Sequence, residues 1–463
     1  MAFIPYFIIG PTSILSIIGL LRGPDKTVPT PAEDWRKATV DLLIPSYNEE
    51  KTIILCLSSL SRQTLKPRQI YIVDDASKDH TVTYARLFAE FKHLDIKIIK
   101  RELNEGKTPS VYHICNESDA DVIALLDADT ILRSSNYLER IVEELYQGVG
   151  IASACGMVLP LTEADRKREF KEGELEKFSM MYPYIDYSPD KTWFQLTQRA
   201  ITNSYREELY LFLQRSVYNG EMVFFGTLIF PIGCAVVYRR QYLKNIFDKY
   251  VPLFGFDLTT SEDIFFGFAF AQEGYKNTHS RDVYAMTGEP RILKMHKQIF
   301  KWSSSFLQSC YYFDDLFLTP FRSFKAFKRR RQEKNDPNIQ KAKERRRIQE
   351  AYRQPFGENY TRNFGRNIGW FIFTTAIEKM SFPTFIVIFA LLQLWEPLLI
   401  TLGAETLLYS TVIAIMHKNR RLRNFFKAIL FTPIRYFQVL FELVVISNLI
   451  LDLWISKNRK WRK

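Results

Sequence analysis

Four aspartates follow two apolar segments that have the composition of buried β-strands. Asp74 and Asp75 end one segment, and Asp127 and Asp129 end another. The carboxyl ends of parallel strands meet at one edge of a sheet, so we expect these carboxylates to lie close together. An Asp-x-Asp pair after a strand supplies hard oxygen ligands, which suit Mg²⁺ or Mn²⁺ bound to a diphosphate. Taken alone, the Asp-x-Asp pair is more often the cap of a helix or a turn, and Asp75-Ala76-Ser77 could likewise cap the helix that follows.

A lysine at a predicted helix start is the next candidate. The sequence Gly106-Lys107-Thr108 is similar to the end of a phosphate-binding loop, but Arg101 stands where that motif requires its first glycine. The spacing therefore disfavours a nucleotide triphosphatase. A lysine at a helix N-terminus beside a strand end is placed to face a phosphate. A solvated surface lysine is the alternative.

Two further motifs lie in the second half of the same region. Ser261-Glu262-Asp263 precedes the apolar segment Ile264–Ala271, which favours a helix with a serine cap and an acidic first turn. Gln298-Ile299-Phe300-Lys301-Trp302 places an amide, a cation and an indole on neighbouring helical turns. Tryptophan is common at membrane boundaries, so this helix could simply be amphipathic. Taken singly, both motifs are also consistent with purely structural roles.

Short β-rich segments alternate with amphipathic segments of helical length between residues 40 and 153. The predicted strands are Val40–Pro45, Gln69–Val73, Ile96–Lys100, Asp121–Leu126 and Val149–Ala154. The predicted helices are Glu50–Arg62, Asp79–Lys92, Lys107–Glu117 and Ser135–Tyr146. This alternation is typical of a parallel sheet with crossover helices. It predicts a doubly wound α/β domain, which binds ligands at the carboxyl ends of its strands.

Several segments are apolar enough to lie in or against a membrane. Ala2–Leu21 lacks charge and is followed by basic residues, which predicts a transmembrane anchor with the next domain in the cytoplasm. The aromatic segment Phe306–Phe327 favours an interfacial helix. Asn367–Trp395 and Leu398–Met416 predict a hairpin of two spans. Tyr436–Ile455 predicts either a third span or an interfacial segment, and the charge pattern leaves both open.

The composition is that of a folded protein with a local excess of positive charge. The 463 residues are 47% hydrophobic and 25% charged, which argues against disorder and against a purely membrane-embedded transporter. Much of the net charge of +12 lies between Arg322 and Arg347. We interpret this block as a solvated juxtamembrane helix rather than a lipid-binding element, and nucleic-acid binding is disfavoured. Five scattered cysteines support neither a disulfide framework nor a zinc ribbon.

Seven motifs occur in order between Asp41 and Trp302. They are Pro45-Ser46-Tyr47-Asn48-Glu49-Glu50, Val73-Asp74-Asp75-Ala76-Ser77, Gly106-Lys107, Asp127-Ala128-Asp129, Gly233-Cys234-Ala235 with Tyr238-Arg239-Arg240, Ser261-Glu262-Asp263 and Gln298-x-x-Lys301-Trp302. This series resembles the family 2 glycosyltransferases, in particular the membrane-integrated hyaluronan, chitin, cellulose and poly-N-acetylglucosamine synthases. The resemblance implies a GT-A-like nucleotide-sugar-binding domain flanked by transmembrane and interfacial helices.

The resemblance also implies a UDP-sugar donor, Mn²⁺ or Mg²⁺ as cofactor, and roles for the motif residues. Tyr47, Glu49 and Asp75 would hold the uridine. Asp129 would bind the metal, with Asp127 beside the nucleotide and the metal. The other substrate-binding residues on the donor side would be Pro45, Asp74 and Lys107.

On the acceptor side, the resemblance implies that Gly233 and Cys234 line the site of the acceptor sugar. Asp263 would be the general base, with Glu262 as its catalytic neighbour. A base is needed because an acceptor hydroxyl is a poor nucleophile until its proton is removed. In-line attack would invert the anomeric carbon and form a β-linkage from an α-linked UDP-sugar.

The last motif would close the site. Gln298, Lys301 and Trp302 would cover the diphosphate and stack against the acceptor. Lys301 stands where the family pattern usually has arginine, so a point charge replaces a planar fork. Polymer synthases of this branch also usually have more hydrophobic segments than this chain, which weakens the expectation that it builds a translocation channel unaided.

The predicted organisation has five parts. They are a transmembrane anchor (1–22), a linker (23–39), a cytosolic glycosyltransferase domain (40–302, with a nucleotide-sugar half at 40–156 and an acceptor half at 157–302), interfacial and basic juxtamembrane helices (303–366) and a C-terminal transmembrane region (367–463). The leading function is a processive polysaccharide synthase that extends a glycan at the membrane. The alternatives are a single-transfer glycolipid synthase similar to ceramide glucosyltransferases, and a non-enzymatic membrane protein that binds a nucleotide sugar.

Overall fold

A mixed β-sheet is at the centre of the protein. The computed structural model describes residues 10–22, 34–148, 150–171, 173–256, 258–332, 367–417 and 420–456. Within these ranges the strands are β1 (Val40–Ser46), β2 (Gln69–Asp74), β3 (Ile96–Lys100), β4 (Val122–Leu126), β5 (Thr130–Leu132), β6 (Ile151–Pro160), β7 (Ala235–Arg239) and β8 (Lys276–Thr287). They form one sheet in the order β3-β2-β1-β4-β7-β6-β8-β5.

The four strands at one side of the sheet are parallel, as the alternating pattern predicts. β1 pairs with both β2 and β4, and β2 pairs with β3. The register places Asp74 opposite Ser46 and Lys100, at the carboxyl ends of their strands. β4 ends at Leu126, directly before the Asp-x-Asp pair. The two predicted pairs of aspartates therefore leave the same edge of the sheet.

The other half of the sheet differs from the prediction of a parallel arrangement. The fifth predicted strand, Val149–Ala154, corresponds to β6, which runs on to Pro160 and pairs antiparallel with β7 and parallel with β8. β7 is also antiparallel to β4, and β5 is antiparallel to β8. β5, β7 and β8 were not predicted. β5 and β7 are only three and five residues long, and β8 is a 12-residue strand that consists largely of polar residues. All three pair with distant strands, and local periodicity does not identify such segments.

Helices cover both faces of the sheet. Those from the first 272 residues are α1 (Pro11–Arg22), α2 (Ile53–Ser61), α3 (Thr81–Lys92), α4 (Lys107–Glu117), α5 (Tyr137–Leu145), α6 (Glu163–Lys171), α7 (Glu174–Met181), α8 (Trp193–Phe212), α9 (Tyr218–Phe225), α10 (Arg240–Phe254) and α11 (Glu262–Gln272). Alternate residues of a strand point to opposite faces, so the sheet has two cores. Leu43 packs into the core that includes Val111 of α4, whereas Leu42 packs into the core that includes Phe88 of α3.

The C-terminal part of the described chain is helical. Its helices are α12 (Met295–Tyr312), α13 (Asp314–Phe317), α14 (Thr319–Gln332), α15 (Gly369–Leu391), α16 (Trp395–Met416), α17 (Arg421–Leu430) and α18 (Thr432–Ile450). Three segments of the described chain have the length and composition to cross a membrane, namely α15, α16 and Thr432–Ile455. They coincide with the three predicted apolar segments. Most of the basic block Arg322–Arg347 lies outside the described residues.

The predicted N-terminal anchor is only partly described. Its described part is α1, which is shorter than a membrane span, and residues 1–9 lie outside the described ranges. α1 packs closely against the region of α9, because glycines are present on both sides of the contact. A Cβ at Gly19 would lie 2.2 Å from the Ser216 carbonyl oxygen, and one at Gly220 would lie 2.4 Å from the Leu15 carbonyl oxygen.

Candidate active site

A cavity of about 740 Å³ opens at the carboxyl edge of the parallel strands. Its wall combines side chains from β-strand ends, from the N-termini of α4 and α11, and from α12. The predicted site residues that line it are Lys107, Asp127, Asp129, Gly233, Cys234, Glu262, Asp263, Gln298 and Trp302. Residues that are distant in the sequence therefore share one cavity.

Lys107 connects three of these segments. It is the first residue of α4, and Gly106 before it has φ +85°, which L-residues rarely adopt. The Lys107 Nζ lies 2.6 Å from Asp127 Oδ1 and 2.8 Å from Glu262 Oε1, and it donates to the Gly233 carbonyl at 3.2 Å. Burial alone would lower the pKa of Lys107, but Asp127 and Glu262 outweigh it and raise the pKa. The lysine is therefore a protonated bridge between two carboxylates.

The Asp-x-Asp pair concentrates negative charge in the cavity. The hydroxyls of Thr130 and Thr287 both donate to Asp129 Oδ1, at 3.2 and 3.3 Å. Burial raises the pKa of Asp129. Burial and then the charge of Asp129 raise the pKa of Glu49 to about 8. Buried carboxylates that lie close together are costly to ionise unless a cation compensates their charge.

This charge fits a divalent cation that is shared with a bound ligand. Among the described residues, no group of three or more His, Cys, Asp or Glu side chains is arranged to hold a metal by itself. Mg²⁺ and similar ions commonly use one or two carboxylates and take their other ligands from substrate phosphates and water. Asp129 and Asp127 provide that donor set, so the residues present fit such a cofactor.

Asp263 is held in a fixed orientation at the cavity wall. Its Oδ1 accepts from the Ser261 hydroxyl at 2.6 Å and from the Ile264 amide at 2.9 Å, and its Oδ2 accepts from the Gly233 amide at 3.0 Å. Burial, and then the charge of Glu262, raise the pKa of Asp263. A Cβ at Gly233 would lie 2.6 Å from Asp263 Oδ2. The glycine is therefore required for this carboxylate to occupy its position.

The last motif is divided between the cavity and the solvent. Gln298 and Trp302 line the cavity from α12. Lys301 is exposed, and its backbone carbonyl accepts from the Thr260 hydroxyl at 2.7 Å. The guanidinium next to Gln298 and Trp302 is instead that of Arg206, which donates to Gln298 Oε1 at 3.1 Å and lies 4.9 Å from the Trp302 ring centre. The predicted contact of Lys301 with a diphosphate stays a prediction.

The predicted uridine-binding residues lie beside the cavity rather than in its wall. Asp75 accepts from the amides of Glu105 and Gly106, at 2.9 and 2.8 Å, and pairs with Arg101 at 3.2 Å. It thereby holds the loop that precedes Lys107. Tyr47 is 46% exposed. The other predicted residues outside the wall are Pro45 and Asp74, which lie in β1 and β2, and Glu49.

Sequence reasoning missed the residues that β8 and α8 bring to the cavity. Thr287 is the last residue of β8, and Gly288 follows it. Arg206 and Tyr210 belong to α8. Next to Gly288, Glu289 accepts from the Tyr210 hydroxyl at 2.6 Å. These residues form no short motif, and β8 itself was not predicted. The sequence does contain one signal for them, because Arg206 lies on the buried face of the amphipathic helix α8, where an arginine is unusual.

The cavity continues from the carboxylates towards the candidate spans. Its wall includes Glu378 and Lys379 of α15, Glu405 of α16, and Arg435 and Glu442 of α18. Four of these charges form two ion pairs, and Glu378 accepts hydrogen bonds from the amide and the hydroxyl of Thr12. Lys379 lies 2.8 Å from Glu442, and Arg435 pairs with Glu405. Ionisable groups in such helices are costly unless they face the bundle interior and pair, so they indicate a polar path.

Comparison with known proteins finds a family match for the part of the chain that carries Lys107, Asp127, Asp129 and Gly233. Residues 41–247 match the protein family Glycosyl transferase family 2. The O-antigen chain rhamnosyltransferase RfbN of Salmonella typhimurium is 32% identical over 27% of this chain and 39% of its own length. The hyaluronan synthase of Streptococcus pyogenes is 31% identical over 26% of this chain and 30% of its own length. The chain thus matches well under half the length of these relatives.

A solved structure is similar over nearly the whole chain. The mannosyltransferase PcManGT from Pyrobaculum calidifontis, in complex with GDP-Man and Mn²⁺, superposes with a TM-score of 0.50. Sequence identity is 15%, over 96% of this chain and 95% of that one. The predicted GT-A-like α/β fold is confirmed. The predicted resemblance to family 2 glycosyltransferases is confirmed for residues 41–247.

Proposed function

We propose that this chain is a membrane-bound, inverting glycosyltransferase that uses a UDP-sugar and Mn²⁺ or Mg²⁺. The observation that carries the proposal is the single cavity in which Asp129, Lys107 and Asp263 meet. This cavity provides both a place for a metal-bound diphosphate and a fixed carboxylate for the acceptor. The family 2 match over residues 41–247 supports the same reaction class.

Asp263 acts as the general base in this proposal. The Gly233 amide and the Ser261 hydroxyl orient its carboxylate towards the cavity. Burial raises the pKa of Asp263, which makes it a better proton acceptor at neutral pH than an exposed aspartate. It takes the proton of the acceptor hydroxyl while the oxygen attacks the anomeric carbon from the side opposite the diphosphate. A β-linkage then forms from an α-linked donor.

Negative charge develops on the diphosphate as the nucleotide departs, and positive charge nearby stabilises it. Asp129 and Asp127 would hold the divalent ion, which when bound stabilises the charge that develops on the diphosphate. Lys107 keeps Asp127 and Glu262 paired, so that the two carboxylates remain in place around the donor. Three residues outside the cavity wall bind the uridine in this proposal, namely Tyr47, Glu49 and Asp75.

The acceptor approaches from the membrane side. The cavity wall extends from Asp263 to the paired charges of α15, α16 and α18, so a hydrophilic chain could pass from the reaction centre into the bundle. The likeness to a hyaluronan synthase supports a processive polysaccharide synthase with a cytosolic catalytic domain. The single-transfer alternative, a lipid-linked acceptor, is favoured by apolar wall residues between the helices, such as Phe382 and Pro383.

The first experiment is a UDP-release assay on the purified full chain with a panel of UDP-sugars and either Mn²⁺ or Mg²⁺. Radiolabelled products are then separated by size and by extraction into organic solvent. We expect release with one or two donors and a ladder of polymer lengths. A single lipid-soluble product would replace the processive proposal with the single-transfer one. No release with any UDP-sugar would contradict the proposed donor.

A further inference from the structure

We infer that Arg206 and Arg166 form an anion subsite in and behind the cavity wall beside Asp129, which takes the diphosphate of the nucleotide. This inference rests on the proposed function, because it assigns a place to the leaving group of that reaction. Neither arginine belongs to a motif that identifies the family 2 domain. Both are nine-tenths or more buried and have side-chain nitrogens without hydrogen-bond partners.

Arg206 is the arginine that reaches the cavity. It lies on α8, is 1% exposed and lines the wall together with Gln298 and Trp302. Its Nη2 donates to Gln298, but within the described chain its buried Nε has no hydrogen-bond partner. The nearest carboxylate oxygen, Glu289 Oε2, is 3.7 Å from Nε and is itself without a hydrogen bond in the described chain. The two side chains form a buried ion pair, but the distance between them is too long for a hydrogen bond. The Nε of Arg206 is therefore still available as a hydrogen-bond donor, unlike the Nζ atoms of Lys107 and Lys379.

Arg166, which belongs to α6, lies near Asp129 on the other side of Gly288. It is 5% exposed, and its Nε and Nη1 have no hydrogen-bond partner among the described residues. Gly288 separates it from the cavity. A Cβ at Gly288 would lie 3.3 Å from Asp129 Oδ2 and 3.7 Å from Arg166 Nη2. A side chain at residue 288 would therefore contact both this guanidinium and the carboxylate of Asp129, and the glycine leaves both groups uncovered on that side.

Buried guanidinium nitrogens without partners are costly, because they have lost their hydration and gained no hydrogen bond in return. The nearby Arg199 illustrates the satisfied case, since it pairs with Asp190 and donates to the Glu289 carbonyl. An anionic ligand with several oxygens would satisfy Arg206 and Arg166. The planar fork of arginine matches phosphate oxygens in pairs, which a lysine does not.

The other cations of the cavity wall are already paired with carboxylates. Lys107 bridges Asp127 and Glu262, and Lys379 is paired with Glu442. Arg435 is paired within the helical bundle as well. Lys301, the cation of the last motif, is exposed. Arg206 is therefore the wall cation best placed for the diphosphate, and it supplies the planar fork that the sequence lacks at residue 301.

The test measures binding of pyrophosphate, UDP and uridine to the full chain by calorimetry, without turnover. EDTA is present so that a metal bridge does not contribute. The variants are Arg206→Gln and Arg166→Gln. Arg168→Gln, at an exposed arginine on the same helix as Arg166, is the matched control. We expect about a tenfold or greater loss of pyrophosphate and UDP affinity in both variants, with uridine binding unchanged and the control unaffected.

Other results would overturn the inference. Equal losses for uridine and UDP would mean that the arginines only support the fold. Unchanged pyrophosphate and UDP affinity would exclude the subsite. Loss of pyrophosphate binding with UDP binding intact would exclude the nucleotide as the source of the anion. If Arg206→Gln does not fold, Arg206→Lys, which keeps the charge without the fork, is expected to show a partial loss for UDP and none for uridine.

The experiment also separates this inference from the proposed function. Pyrophosphate binding requires neither a sugar nor an acceptor. Wild-type protein that binds pyrophosphate through these arginines but releases no UDP from any UDP-sugar would contradict the proposed reaction and leave the subsite intact. Gly288→Ala gives an independent check, since a methyl group between Asp129 and Arg166 is expected to weaken pyrophosphate binding.

Discussion

The position of the Asp263 carboxylate depends on its close contact with the backbone of Gly233. Asp263 accepts a hydrogen bond from the amide of Gly233, and no Cβ fits between them. A general base must be held within hydrogen-bond reach of its substrate, so a small displacement removes most of its effect. The glycine therefore contributes to the reaction although it has no side chain.

Gly233→Ala is expected to lower the rate of UDP release by about 100-fold, because the new methyl group pushes the Asp263 carboxylate away. Activity is measured as UDP release, and the fold is checked by thermal unfolding. Gly403→Ala is the matched control, because a Cβ at that position meets no atom within 4 Å. A Gly233→Ala variant with wild-type activity would show that the carboxylate has room that the structure does not indicate.

For the last motif, the sequence does not indicate which of the side chains face the cavity. A linear motif names Gln298, Lys301 and Trp302 together, but residues 301 and 302 differ by about 100° around a helix. The packing of α12 places Gln298 and Trp302 in the cavity and Lys301 in solvent. Arg206 joins them from another helix. The types and order of residues predicted nine residues of the cavity wall. The choice of the cation beside Gln298 and Trp302 depended on tertiary packing.

Among the β-strands, β1 to β4 and the first part of β6 were predictable, whereas β5, β7 and β8 were not. β1 to β4 alternate with helices at regular spacing, so pattern alone located them. β8 pairs with β6 and β5, which are far away in the sequence, and its contribution to the site follows from that pairing. β8 ends beside Asp129, where Thr287 donates to the carboxylate. Because β8 was not predicted, the residues that line this side of the cavity were not predicted either.

β8 also gives the fold a specific sensitivity to acid. Burial lowers the pKa of His279 in β8 from 6.5 to about 3, so the folded protein holds it neutral. Because the folded pKa is below the unfolded one, its contribution to stability is complete above about pH 6.5 and is lost as the pH falls towards 3. At pH 5 the loss is about 2 kcal/mol.

We expect the wild-type melting temperature to fall more between pH 7 and pH 5 than that of His279→Gln, which does not titrate. His113→Gln, at a half-exposed histidine on the α4 surface, is expected to follow the wild type. Parallel curves for all three proteins would contradict the burial of a neutral histidine in β8.

At the scale of the whole molecule, the catalytic domain and the C-terminal helices share one cavity. Three helices meet where Lys379 of α15 contacts Glu442 of α18, and the Ser303 hydroxyl of α12 donates to the same carboxylate at 2.6 Å. Since α12 also carries Gln298 and Trp302, this contact joins the membrane-side bundle to the active site. Hydropathy predicted the three apolar segments, but it gave no information on which charges pair between them.

Lys379→Met is expected to destabilise the protein by about 3 kcal/mol, because it leaves Glu442 buried without its charge partner. The double variant Lys379→Met with Glu442→Met is expected to recover most of that loss. Thermal unfolding of the detergent-solubilised protein measures both. Lys244→Met, which removes an exposed pair with Asp248, is the control and is expected to change stability by about 0.5 kcal/mol or less. Additive losses in the double variant would show that the two residues do not interact.

In the proposed reaction, carboxylates from distant segments act in one cavity, and Asp263 is the group that accepts the proton. The most direct measurement compares UDP binding and UDP release in Asp263→Asn. The amide keeps the size of the side chain but no longer accepts a proton. We predict that UDP binds with nearly wild-type affinity while UDP release falls by at least about 100-fold. Release at a rate close to that of the wild type would contradict the assignment of the base and the account built on it.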